Sequence, residues 1–124
     1  MLQMSDEDFQ DVVEDALASI PSGFEHYLKE IAIDIEDEPD ENTCRELKLR
    51  SPRQLLGVYR GTPLTQRHVE DNFRYPERIV IYQGNLQRMC RTREQMVSEI
   101  RKTVLHEIGH HFGLSERQLR ELGF

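Results

Sequence analysis

The run His106-Glu107-Ile108-Gly109-His110-His111-Phe112-Gly113-Leu114-Ser115-Glu116 constrains this chain more than any other stretch. Its first and fifth residues are histidines, and residues four apart lie on one face of a helix, one turn from each other. Gly113 falls where that helix must break, and Glu116 stands just beyond the break. The fold therefore has to deliver a helix ending near Gly113 and a chain that turns back toward it. Two imidazoles on one face can hold Zn²⁺, and a glutamate beside the first can act on water at the metal.

Length and composition bound the rest. The chain has 124 residues, 37% of them hydrophobic and 31% charged, which suits one domain over 1–124 with a single modest core. A net charge of −7 argues against nucleic-acid binding. The start, Met1 to Asp8, has neither the basic nor the apolar segment of a secretory signal, and no apolar run is long enough to cross a membrane. Cys44 and Cys90 are far apart in sequence and belong to no C-x-x-C, so reduced thiols in a cytoplasmic protein are expected.

The first helix reads clearly. Ser5 caps it, Asp6, Glu7 and Asp8 charge its first turn, and Phe9, Val12, Val13, Ala16, Leu17 and Ile20 make its apolar stripe until Pro21. A helical turn is expected around 24–28. Strands are expected over 31–36, 55–60 and 78–82, the second closed by Gly61-Thr62-Pro63 and the third by Gly84-Asn85. Asp37 to Asn42 reads as a solvated acidic loop rather than a cation site. Residues 43–54 lack a clear period, and 64–77 read as a polar connection with turns at Asp71-Asn72 and Pro76. A short helical segment is expected near 86–90. Thr92 with Gln95, and Ser115 with Gln118, match capping boxes, and Leu114 and Leu119 occupy the positions of a hydrophobic staple. Met96, Val97, Ile100, Val104 and Ile108 form the stripe of the second long helix, and Gly123 closes the last one. His106 and His110 sit away from the stripe's centre and face a groove or solvent, whereas His111 falls inside it.

Candidate roles follow. His106 and His110 are metal ligands, with zinc the best fit to neutral imidazole and nickel or copper able to compete. Glu107 is the general base and acid. Two histidines hold zinc weakly, so Glu116 is the candidate third ligand and water takes the fourth place. Glu116 is also the first residue of a capped helix, where a carboxylate favours the helix dipole without any metal. His111 reads as a core or supporting residue, bonded to Glu116 or to a backbone carbonyl. His26 and His68 have no partner at ligand spacing and read as surface residues. The strand 79–82 is either interior or an open edge that could pair with an extended peptide.

This run resembles the zincin metallopeptidases, and its spacing is similar to that of the metzincins, with Glu116 where those enzymes carry histidine or aspartate. The chain as a whole resembles more closely a family of small bacterial proteins with a minimal zincin-like fold. Ile31–Pro39, Leu55–Thr65 and Arg78–Phe124 carry that resemblance. It implies an α+β fold, with a small mixed sheet packed with an N-terminal helix and the HExxH helix, followed by a short helix. It also implies one Zn²⁺ per chain at His106, His110 and the acid at 116, and a peptide or protein substrate. Aspartate is common at that acidic position in the family, and here it is Glu116. Eight residues follow Glu116, leaving no room for a Met-turn or for the usual far wall of the cleft. A shallow cleft, or one completed by a partner protein, is expected. The alternative is a non-catalytic metal-binding or interaction module that keeps the scaffold, or a metal that serves structure alone.

Overall fold

The computed structural model describes residues 2–61 and 77–121, with backbone alone for Glu25 and His26. The expectations for His68, for the turns within 62–76, for the side chain of His26 and for Gly123 lie outside the described residues. Helix α1 (Asp6–Ala18) starts as expected: the Ser5 hydroxyl accepts from the Asp8 N–H at 3.1 Å. Phe9, Val12, Val13 and Ala16 are buried along one face. A short 3₁₀ turn (Ser22–Phe24) leads into α2 (Glu25–Lys29) and then β1 (Ala32–Glu36). Next come α3 (Glu41–Glu46), β2 (Gly57–Arg60), β3 (Arg78–Tyr82), α4 (Gln83–Met89), α5 (Arg93–His111) and α6 (Glu116–Glu121).

The three strands form one mixed sheet in the order β1-β3-β2. β1 runs parallel to β3 with Ile33 opposite Ile79, and β2 runs antiparallel with Val58 opposite Val80. β3 is thus interior. Its unbroken apolar run suits a strand covered on both faces: Ile79 and Ile81 are buried in the main core, while Val80 and Tyr82 pack with Val58 in a smaller one. Of the two readings of residues 79–82, the interior one holds, and among the described residues β2 is the outer strand beside the histidine helix. The main core joins Phe9, Val12 and Ala16 of α1 to Met96, Ile100, Val104 and Ile108 of α5. Each of these side chains larger than alanine contributes about 1.5–3 kcal/mol on burial. The architecture is α+β with a small mixed sheet.

Three local expectations are corrected. The acidic loop ends early, because the Asp40 carboxylate accepts from the Thr43 N–H at 2.8 Å and caps α3. Gly84-Asn85 is not a turn but part of α4. A Cβ at Gly84 would lie 2.3 Å from Asp37 Oδ1, so close approach rather than chain reversal requires glycine there. Gln95 does not close a capping box on Thr92. Its amide oxygen reaches one residue further, accepting from the Arg91 N–H at 2.8 Å, while Thr92 Oγ1 accepts from the Gln95 N–H. Ser115 and Gln118 do make the reciprocal pair, at 3.1 and 2.8 Å.

Candidate active site

The site is built where α5 crosses β2, on the side of that strand away from β3. Tyr82 N–H donates to the Leu56 carbonyl at 3.0 Å, so Leu56, Val58 and Arg60 turn their backbone groups toward β3. Gly57 and Tyr59 then turn theirs outward. Gly57 lets the helix come close: a Cβ there would sit 2.6 Å from Thr103 Cγ2 and 3.1 Å from the Val80 carbonyl oxygen. Two strand residues span about 6.8 Å and four helical residues about 6 Å, so one step along each element keeps them in phase. Thr103 meets Gly57, and four residues on, Glu107 Oε2 accepts from the Tyr59 N–H at 3.2 Å.

The return of the chain after α5 is equally specific. Gly113 has φ +82°, the left-handed conformation that favours glycine. Leu114 N–H donates to the Gly109 carbonyl at 2.7 Å and Gly113 N–H to the His110 carbonyl at 3.1 Å. Both bonds together make a Schellman ending. α6 then docks through Leu119, which is fully buried against Gly109. A Cβ at Gly109 would lie 2.6 Å from Leu119 Cδ2. This is the reason for glycine between the two histidines of the motif.

The folded-back helix carries Glu116 onto both of them. Glu116 Oε1 stands 2.7 Å from His110 Nε2, and Oε2 stands 3.2 Å from His106 Nε2. His106 Nδ1 lies 2.9 Å from the Lys102 carbonyl oxygen, which can only accept, so Nδ1 carries the hydrogen and Nε2 is the nitrogen turned to Glu116. Two Nε2 atoms and a carboxylate are all acceptors in their common states. Only shared protons or a cation reconcile them at one point, and this donor set suits zinc. The present spacing is that of hydrogen bonds. Ligands on one tetrahedral zinc stand about 3.3 Å apart, and among the described residues no three ligating side chains surround a common metal position. The Glu116 side chain is 59% exposed, so it is free to give way.

The two carboxylates are poised oppositely. Burial pushes the Glu107 carboxyl above the usual carboxylate range, against the Tyr59 N–H bond and the nearby His110 and His106. The hydrogen bond from His110, with the charge of His106 beside it, holds Glu116 below that range. One group is thereby shifted toward holding a proton, the other toward staying ionised.

His111 is 2% exposed at its side chain. It stacks on the Tyr59 ring with centroids 4.3 Å apart, its Nε2 is 3.3 Å from Tyr59 Oη, and Glu77 Oε1 lies 3.9 Å away. The expected support role fits, but with Tyr59 and Glu77 as partners, while Glu116 is engaged by the other two histidines. The acidic stretch plays no part in this site: Glu38 pairs with Arg88 at 2.5 Å and Asp40 caps α3. Residue type alone does not mark Gly57, Tyr59 or Thr103 as part of this site. The one signal for Thr103 was its place four residues before Glu107.

Compared with known proteins, residues 28–124 match the family model described as zincin-like metallopeptidase. No curated protein matches the chain.

Proposed function

The chain belongs to the zincin-like metallopeptidases, and on that premise we propose that it is a zinc-dependent peptidase with Glu107 as general base and acid. The observation that carries this reading is the meeting of His106, His110 and Glu116 within hydrogen-bond distance beside a half-buried Glu107. His106 Nε2, His110 Nε2 and the Glu116 carboxylate would hold one Zn²⁺. Bound zinc supplies a water acidified toward a pKa of about 7 and polarises the scissile carbonyl.

The remaining work falls to the chain's own groups. Tyr59 N–H fixes Glu107 through Oε2, which leaves Oε1 to receive the proton of the attacking water. Its raised pKa makes that uptake favourable and also makes release to the leaving nitrogen possible. The outward backbone groups of Gly57 suit an extended peptide laid along β2, which would bring its amide past Glu107. A peptide substrate follows from the family. Among the described residues no helix is long and apolar enough to cross a membrane. We place the protein in the bacterial cytoplasm as one domain over 1–124, where the free thiols of Cys44 and Cys90 suit a reducing compartment.

The second reading is a metal-binding or protein-interaction module without turnover. The hydrogen bonds that close Glu116 on both histidines favour it, because they complete the site without chemistry. Peptide-library cleavage by wild type and Glu107→Gln, with zinc measured in both, separates the two. Turnover lost with metal retained supports the peptidase. Absence of cleavage by zinc-loaded wild type leaves the module.

A further inference from the structure

Beside the catalytic carboxylate, a cleft of about 300 Å³ runs from Glu107 toward the start of α5. One wall is Gly57 of β2 with Leu56 just before it. The other is α5, which presents two adjacent rows at four-residue spacing: Glu99, Thr103 and Glu107, then Lys102 and His106. Gly57 leaves the cleft narrow at its floor, where Thr103 fills the space a side chain would take. Past the catalytic end the charged groups in it are Glu99 and Lys102, paired loosely at 3.8 Å. They are not equivalent. Glu99 keeps 30% of its side chain exposed and Lys102 keeps 53%, so the carboxylate is the more enclosed and the ammonium the more solvated. A loose, solvated pair of this kind is weak, and a ligand cation can replace its partner at little cost.

We propose that this cleft recognises a basic side chain, arginine or lysine, of the peptide substrate, with Glu99 as the specificity-determining residue and Lys102 as the displaceable counter-ion. The proposal rests on the peptidase reading for the direction of the peptide, and on Glu99 for the chemistry. Glu99 and Glu107 are two helical turns apart, about 12 Å along the axis. An extended chain advances about 3.4 Å per residue. A long basic side chain one or two residues from the scissile amide therefore reaches Glu99 while that amide stays at Glu107. Guanidinium suits the site best, because it can bond a carboxylate in a fork.

The test uses labelled alanine–serine peptides carrying a single Arg, Leu or Glu, titrated by fluorescence anisotropy into Glu107→Gln protein with and without added zinc. The expected result is binding of the Arg peptide about fivefold tighter than the other two, the scale of one partly exposed charge pair. That advantage should fall away when Glu99→Gln is added and should grow when Lys102→Ala is added, since the competing cation is gone. Zinc content and circular dichroism check that both added variants fold. Equal binding of the three peptides, no binding, a preference for the Glu peptide, or an Arg preference that survives Glu99→Gln would each overturn the proposal. Cleavage of the same peptides by wild type separates the two claims. Glu99-dependent Arg binding without cleavage sinks the peptidase reading and leaves the recognition site standing. Cleavage indifferent to Arg does the reverse.

Discussion

Glu107 Oε2 accepts a hydrogen bond from the backbone N–H of Tyr59 at 3.2 Å, joining the histidine helix to β2. The acceptor is the side chain at 107, so only a replacement that keeps an acceptor oxygen there preserves the joint.

Glu107→Gln should keep that bond through its amide oxygen and lose the titrating group. Turnover should fall by about 10²–10⁴, with zinc content unchanged by elemental analysis. Equal turnover in the variant would remove Glu107 from the mechanism.

The same variant tests stability against pH in metal-free protein. The Glu107 carboxyl is raised in the folded state, so between its unfolded and folded pKa values the folded protein binds more protons than the unfolded one, and stability declines as pH rises through that interval. Above it, ionised Glu107 is destabilising. Glu107→Gln should therefore melt higher than wild type at neutral pH, and the gap should close as pH falls below the ordinary carboxylate range. A gap that widens in acid would contradict the assignment.

Purified protein should hold near one zinc per chain, and His106→Ala with His110→Ala should hold almost none. Where free zinc stands at 100 times its dissociation constant, the ion adds about 2.7 kcal/mol of stability. A chelator should lower the melting temperature of wild type accordingly and leave the double variant where it was.

Gly109→Val places a branched side chain where Leu119 Cδ2 already sits 2.6 Å from an added Cβ. The overpacking should cost about 1–3 kcal/mol, read by denaturant titration. Zinc affinity should drop as well, because α6 carries Glu116. Unchanged zinc affinity would mean that Glu116 is not a ligand.

Lys48 is the one non-glycine residue with positive φ among the described residues, at 54°, just past the end of α3. Leu49 N–H donates to the Cys44 carbonyl at 2.9 Å, which makes this a helix ending of the glycine type. Lys48→Gly should stabilise by about 0.5–1 kcal/mol, visible as a higher denaturation midpoint, with zinc content unaffected.

What could be read in the sequence follows how local each feature is. His106, Glu107 and His110 share a face because of helix periodicity alone. The return to Glu116 rests on Gly113 and on the Ser115–Gln118 pair, all within a few residues. Tyr59 could not be read, because its contribution is a backbone N–H whose direction depends on pairing with β3, and a backbone group leaves no mark on residue type. α3 was hidden for another reason: its six residues are too short to show a period, and its sole signal is the capping Asp40. The sequence left β3 as either interior or an open edge: the run Ile79-Val80-Ile81-Tyr82 could not say whether a strand lay on either side, and the order β1-β3-β2 came from the structure.

The turn at Gly113 makes α6 a lever with two grips: Leu119 on Gly109 at one end, and Glu116 over His106 and His110 at the other. Anything that tightens one grip tightens the other by the same factor, since the two share one docking equilibrium. A cation held at Glu116 would thus be sensed as a change in how often the last helix lifts away, and hydrogen exchange along α6 would serve as a gauge of occupancy without any substrate at all.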